Sequence, residues 1–172
     1  MELYEVMKNR FSVRKFKNEK ISEEILSEIL AAGHIAPTAC NFQPQKTLVI
    51  DGEEELLKLR SCTSYHFNAP CALLICYDEN ECWTRPFDGQ ESGHIDASIV
   101  TTHMMLRAFE LGVGSTWVMY FEPEKVSEKF NLPKNYIPTA LLVMGYPADD
   151  AQINPKHKNK RPISETVFRN KF

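Results

Sequence analysis

The sequence predicts an α+β layered domain: amphipathic helices interleave with three or four short, strongly apolar strands, and one long central helix is apolar on most of its sides. Each part of that statement rests on local chemistry. Leu3, Val6 and Met7 share a helical face, which predicts a short opening helix ending around Arg10. The next helix is marked by Ser22 as N-cap, by Glu23 and Glu24 in the first turn, and by Ile21 and Leu26 at the two staple positions. Its apolar stripe runs through Ile25, Leu26, Ile29, Leu30 and Gly33, and Pro37 stops it. Residues 46–51 read as a strand, 53–60 as a short polar helix, and 69–77 as a buried strand of continuous apolar residues.

Residues 81–92 are polar and aromatic, interrupted by Pro86 and Gly89, and read as a loop or lid. From His94 to Leu111 runs the longest helix, its stripe of Ile95, Ile99, Thr102, Leu106 and Phe109 backed by Val100, Met104 and Ala108; Gly112 is its C-cap. Residues 114–120 lead into a strand, Pro123 opens a short helix through Phe130, and 140–146 form another buried strand. From Pro147 the chain is polar until Val167 and Phe168. With 172 residues, no internal repeat and no linker, residues 1–172 read as one domain with a C-terminal tail over about 147–172.

Composition removes several functions. A net charge of -3 argues against nucleic acid as partner, and no apolar run approaches the ~20 residues of a membrane span. Five cysteines, odd in number and with no basic and apolar leader before them, read as free thiols in a reducing compartment, so the expected location is cytoplasmic. Cys71 and Cys76 lie five apart on a strand and therefore face opposite ways, and the histidines lack ligand spacing, so no metal is expected. Cys40 lies in a candidate site loop, where size explains a thiol better than redox chemistry does.

Two segments carry the chemistry. In Arg10-Phe11-Ser12-Val13-Arg14 an extended backbone points Arg10, Ser12 and Arg14 the same way, a fork of donors suited to a phosphate. In Ala36-Pro37-Thr38-Ala39-Cys40-Asn41-Phe42-Gln43-Pro44 a polar loop offers side-chain amides and freed backbone groups to a ligand ring. Together they suggest a nucleotide-like cofactor, although no run fits the dinucleotide or P-loop glycine patterns. The late basic run through Lys156, Lys158, Lys160 and Arg161 is either a solvated tail or a second contribution to the same anion site.

These two segments, with Ala69-Pro70 entering a strand, Asp96-Ala97 opening the long helix, and Glu110-Leu111-Gly112-Val113-Gly114-Ser115-Thr116-Trp117, resemble the FMN-dependent nitroreductase family in order and spacing over nearly the whole chain. The resemblance implies a three-layer α/β/α sandwich around a mixed, mainly antiparallel sheet, in an interlocked homodimer with FMN at the subunit interface. It implies that Arg10, Phe11, Ser12 and Arg14 hold the phosphate and the flavin edge. Pro37, Thr38, Asn41 and Gln43 would approach the ring from the partner subunit, and the tail would cross to that partner. Val118, Met119 and Tyr120 would lie at the reactive edge, and Lys158, Lys160 and Arg161 would return to the phosphate. The implied activity is ping-pong transfer of electrons from NAD(P)H to a small-molecule acceptor such as a nitroaromatic, a quinone or free flavin, with no catalytic side chain. Two departures from relatives are visible. Cys62 and Tyr65 stand where many have Asn and Lys, and Met119 and Tyr120 stand where many have small residues. That bulk keeps open a second reading, a non-catalytic protein that stores or senses FMN. A thiol enzyme using Cys40 is a third.

Overall fold

Four strands form one sheet in the order β1-β2-β4-β3: β1 (Gln45–Ile50), β2 (Cys71–Asp78), β3 (Gly114–Val118) and β4 (Tyr136–Gly145). The computed structural model describes residues 1–172. All three strand pairs are antiparallel, so the expected mixed sheet is corrected: the parallel pairing present is a single isolated bridge, Ser12 to Ser115. Helices α2 (Glu23–His34) and α4 (Gly93–Glu110) cover one face, and α3 (Glu53–Cys62) with α5 (Pro123–Lys129) the other; α1 (Leu3–Asn9) packs against α4. The strand period of two sorts side chains between the layers. Leu73, Ile75, Leu142 and Met144 join the α2/α4 core, whereas Leu74, Leu141 and Val143 join the α3/α5 core. Cys71 and Cys76 divide in the same way, and burial pushes both thiols up to about 12.

The caps set the helix ends. Ser22 Oγ accepts from the Ile25 N–H at 3.3 Å, and Ile21 and Leu26 both reach the α2/α4 core. At the end of α4 the Val113 N–H donates to Ala108 O and the Gly112 N–H to Phe109 O, with Gly112 at φ 80°. That is the Schellman pattern, and it requires a left-handed residue where the glycine stands.

Of the boundaries that differ from expectation, three have a physical reason in the structure. β4 begins at Tyr136 rather than Ala140, because a bulge between the pairs Ile75–Ala140 and Cys76–Pro138 lets the sheet absorb a proline that lacks an N–H. Thr139 is the extra residue, and its hydroxyl meets His94 Nδ1 at 3.0 Å. β3 stops at Val118 because the next residues turn towards α3: the Thr63 hydroxyl donates to Tyr120 O, and the Glu122 N–H donates to Cys62 O at 3.1 Å. α3 runs two residues beyond Arg60 to bury Cys62. The tail, read from the sequence only as polar, holds two short 3-10 turns, Pro155–Lys158 and Ile163–Glu165. No helix is long and apolar enough to cross a membrane.

Gly114 is where the segment carrying Arg14 docks. A Cβ there would lie 2.6 Å from Val13 Cγ2, 2.9 Å from Val13 Cβ and 3.0 Å from Pro147 Cγ. Val13 is buried and β-branched, so it cannot swing aside. We expect Gly114→Ala to cost about 1–3 kcal/mol, the range for overpacking, read as a lowered urea midpoint with an unchanged slope. An unshifted midpoint would show that this docking is loose.

Candidate functional site

Residues 10–17 leave α1 extended, meet the free edge of β3 near its start and then pass the residues that follow β4. The Val13 N–H donates to Ser115 O at 3.0 Å, the Thr116 hydroxyl donates to Val13 O, and the Lys17 N–H donates to Tyr146 O at 2.8 Å. With Val13 inserted into the core, Ser12 and Arg14 are turned outward, as the period of two requires. The tail then folds back over this segment. The Ala148 N–H donates to Lys15 O at 3.0 Å, and exposed ion pairs join Lys15 to Asp150 at 2.5 Å and Lys17 to Asp149 at 2.8 Å. These pairs hold the Asp150 carboxyl below, and the Lys17 ammonium above, their ordinary values, chiefly through the hydrogen bond to the partner.

The result is a pocket of about 230 Å³ lined by Phe11, Ser12, Arg14, Asn154, Lys156 and His157. Its ionisable groups are all basic. Arg14 makes one hydrogen bond, from Nη1 to Ser12 O at 3.3 Å, and neither Arg14 nor Arg10 has a carboxylate partner. Arg10 is half-buried, and burial lowers its pKa without removing its charge near neutral pH. Arg10 does not line this pocket; the unpaired Arg14 guanidinium beside the Ser12 hydroxyl is a donor set that suits a phosphate monoester.

The basic run of the tail thus reaches the pocket through Lys156 and His157. Lys158, Lys160 and Arg161 are exposed and do not line it. What selects between them is the turn at Asn154-Pro155, where Asn154 Oδ1 accepts from the Lys156 N–H at 2.9 Å. The Asn-Pro pair was the available sequence signal.

The amide loop lies elsewhere. Pro37, Thr38, Asn41 and Gln43 sit between α2 and β1, with Cys40, Asn41 and Gln43 all at positive φ. Asp96, buried at the start of α4, accepts the Ala39 N–H at 2.9 Å and the Ser92 hydroxyl at 2.7 Å; Thr38 Oγ1 accepts the Gln43 N–H at 3.1 Å. Asn41 and Gln43 are exposed, and Gln43 spends one amide hydrogen on Asn41 O. This loop precedes the start of β1, which pairs with the end of β2, while Ser12 pairs with the start of β3 at the opposite edge. With ~4.8 Å between strands and ~3.4 Å per residue along them, the two segments stand on the order of 25 Å apart. One chain does not bring them together.

Val118 is buried at the end of β3, and Met119 and Tyr120 emerge from it, 73% and 71% exposed. With residues 60–64, Phe121 and Glu122 they line a pocket of about 550 Å³. Apart from Cys62, Met119 and Tyr120, the members of this wall, Thr63 and Arg60 among them, were not singled out by the sequence. Nothing local marks them, because Thr63 acts on a residue 57 positions away.

The model of the Nitroreductase family matches residues 7–70 and 64–146. The chain is similar to the solved structure of a nitroreductase family protein from Clostridium difficile 630, 42% identical with a TM-score of 0.94 over the whole of both chains. It is similar also to an FMN-dependent nitroreductase from Clostridium difficile R20291, 25% identical with a TM-score of 0.80, over 98% of this chain and 99% of that one. A Staphylococcus aureus NADPH-dependent oxidoreductase is 26% identical over 99% of this chain and 74% of its own length.

Proposed function

The chain belongs to the nitroreductase family, and from that premise we propose that it is an FMN-dependent oxidoreductase drawing electrons from NAD(P)H. It passes them to nitroaromatics, quinones or free flavin by a ping-pong route, and it works as a homodimer with FMN between the subunits. The names of its relatives, an FMN-dependent nitroreductase and an NADPH-dependent oxidoreductase, support the cofactor and the donor. The observation that carries the reading is the separation just described. A basic pocket and an amide loop stand at diagonally opposite corners of one sheet, which supports a reading in which a second copy supplies the loop that meets the pocket.

In this reading Arg10, Phe11, Ser12 and Arg14, with Lys156 and His157 closing over them, hold the phosphate, and Lys158, Lys160 and Arg161 add positive potential further out. Pro37, Thr38, Asn41 and Gln43 of the second copy orient the ring with amide and backbone groups. The left-handed Cys40, Asn41 and Gln43 keep that loop tight, and Asp96 anchors it. FMN, when bound, supplies the hydride-accepting and electron-donating chemistry, so no acid–base side chain is assigned. The apolar faces of α1 and of the tail support the assembly: Leu3, Tyr4, Val167 and Phe168 are all more than half exposed.

Storage of FMN without turnover is the rival suggested by the bulk of Met119 and Tyr120. Against it stands their placement, since both side chains border an open pocket instead of filling it. Two measurements decide. Purified protein mixed with FMN should gain a protein-bound flavin spectrum, and a protein that stays colourless overturns the proposal. Anaerobic NADH or NADPH should then bleach that flavin, and a nitro compound should restore it. Flavin that never bleaches would establish storage instead.

A further inference from the structure

Resting on the FMN-binding reading above, we propose that residues 149–157 form a strap over the basic pocket, latched by charge, and that its release is the step through which a phosphate-bearing ligand enters and leaves. Asp149 and Asp150 are its positioning residues: paired with Lys17 and Lys15, they hold Lys156 and His157 at the pocket. Little else ties the strap down. Residues 15–17 and 146–148 form a short antiparallel ribbon, in which Phe16 bridges Pro147, the Lys17 N–H donates to Tyr146 O and the Ala148 N–H donates to Lys15 O. That ribbon ends at Ala148. From 149 to 157 the backbone hydrogen bonds are local, the Ala151 N–H donating to Ala148 O at 2.9 Å and the His157 N–H to Asn154 O at 2.8 Å. No residue of the segment belongs to either core.

Both ion pairs are exposed, so each is weak alone and screened by salt. A segment held by such contacts opens locally, without unfolding the rest of the chain. What this one carries is a wall of the pocket, since Asn154, Lys156 and His157 close a space of about 230 Å³ against Phe11, Ser12 and Arg14. Asp150 also borders the adjoining space of about 290 Å³ with Arg14, Lys15 and Gln152, which sets the latch directly beside the Arg14 guanidinium. Closed, the latch neutralises two carboxylates that would otherwise repel a phosphate there. Open, it withdraws the Lys156 and His157 wall and leaves Arg14 and Ser12 uncovered. The Lys15 hydrogen bond holds the Asp150 carboxyl below its ordinary value, so the pair stays ionised near neutral pH and ionic strength is what loosens it.

The test follows FMN release from the flavin-loaded protein after dilution, read by the recovered fluorescence of the free flavin. Asp149→Asn combined with Asp150→Asn should speed release about tenfold. Raising sodium chloride from about 0.05 to about 0.5 M should speed release from wild type by a larger factor than from that double variant, which has no latch left to screen. Lys15→Asp should also speed release. Adding Asp150→Lys to it should return the rate to within about twofold of wild type, because the pair is restored with its signs exchanged; side chains acting separately would not rescue one another. Lys134→Gln, which removes an exposed charge from another part of the surface, should leave the rate alone. A second readout does not depend on flavin: tryptic cleavage after Lys156 tracks the open population and should quicken about tenfold in the double aspartate variant. If the protein takes up no FMN, the underlying reading fails, and the cleavage rates still decide whether the latch exists. If FMN binds but neither release nor cleavage responds to the double variant, or the exchanged pair fails to restore release, this proposal fails alone.

Discussion

Truncation after Ser164 should convert a flavin-loaded dimer into a colourless monomer. The eight residues removed include Val167, Phe168 and Phe172, all more than half exposed, with the two phenylalanine rings 5.3 Å apart. Their backbone hydrogen bonds stay within the tail: the Glu165 N–H donates to Pro162 O, and the Thr166 and Val167 N–H groups to Ile163 O. None of the eight belongs to either core, so their loss costs the folded chain no internal packing. In the dimer proposed above, a partner's surface would bury these side chains. At about 2 kcal/mol for each large apolar side chain fully buried, two per tail and two tails per dimer would be worth on the order of 8 kcal/mol, less the cost of ordering the tails. A rise of at least about three orders of magnitude in the dimer dissociation constant is expected. Light scattering after size exclusion reads the assembly, and the visible flavin band reads the cofactor. A truncated protein that remains a flavin-loaded dimer would overturn the role given to the tail.

The same contrast between local and distant determinants explains which parts of the molecule could be read from its residues. α2 and α4 were legible because their ends are written nearby: Ser22 and Gly112 act within three or four positions of themselves. β2 was legible because both of its faces are covered, which turns a strand into an unbroken apolar run. The first residues of β4 were missed: they hold Pro138, which lacks an N–H, and only the register of the neighbouring strand reveals the bulge that accommodates it. The end of β3 was hidden for a related reason, since Thr63 decides it from another element.

The candidate site divides in the same way. The fork at Arg10, Ser12 and Arg14 follows from an alternation visible over five residues, and the loop of Pro37, Thr38, Asn41 and Gln43 from its turn chemistry. That Lys156 and His157, ahead of Lys158, reach the fork depends on a turn and on two ion pairs to residues 15 and 17, more than 130 positions away in sequence. A run of like charges carries no internal mark of which member points where. The separation of fork from loop is a property of strand order, which no single segment contains.

Arg14→Ala should lower the affinity for FMN by about 10- to 100-fold while leaving the affinity for riboflavin nearly unchanged. The argument starts from the partners Arg14 lacks. It borders both the pocket shared with Ser12, Lys156 and His157 and an adjoining one shared with Lys15, Asp150 and Gln152, yet Asp150 is taken by Lys15 Nζ at 2.5 Å. Its guanidinium is therefore held near Ser12 O with most of its donors uncommitted. A charge-assisted hydrogen bond to a phosphate is worth about 1.5–3 kcal/mol, which corresponds to the stated range. Riboflavin has the same ring without the phosphate, so comparing the two ligands isolates that contact from any general damage to the fold. Arg14→Lys should recover only part of the loss, because an ammonium supplies the charge without the planar fork. Added salt should weaken FMN binding to the wild type more than to Arg14→Ala, since the pocket is solvent-accessible and its attraction is screened. Flavin fluorescence quenching measures all of these constants. Equal losses for FMN and riboflavin would move Arg14 from the phosphate to the ring, and unchanged affinity for both would remove it from the site.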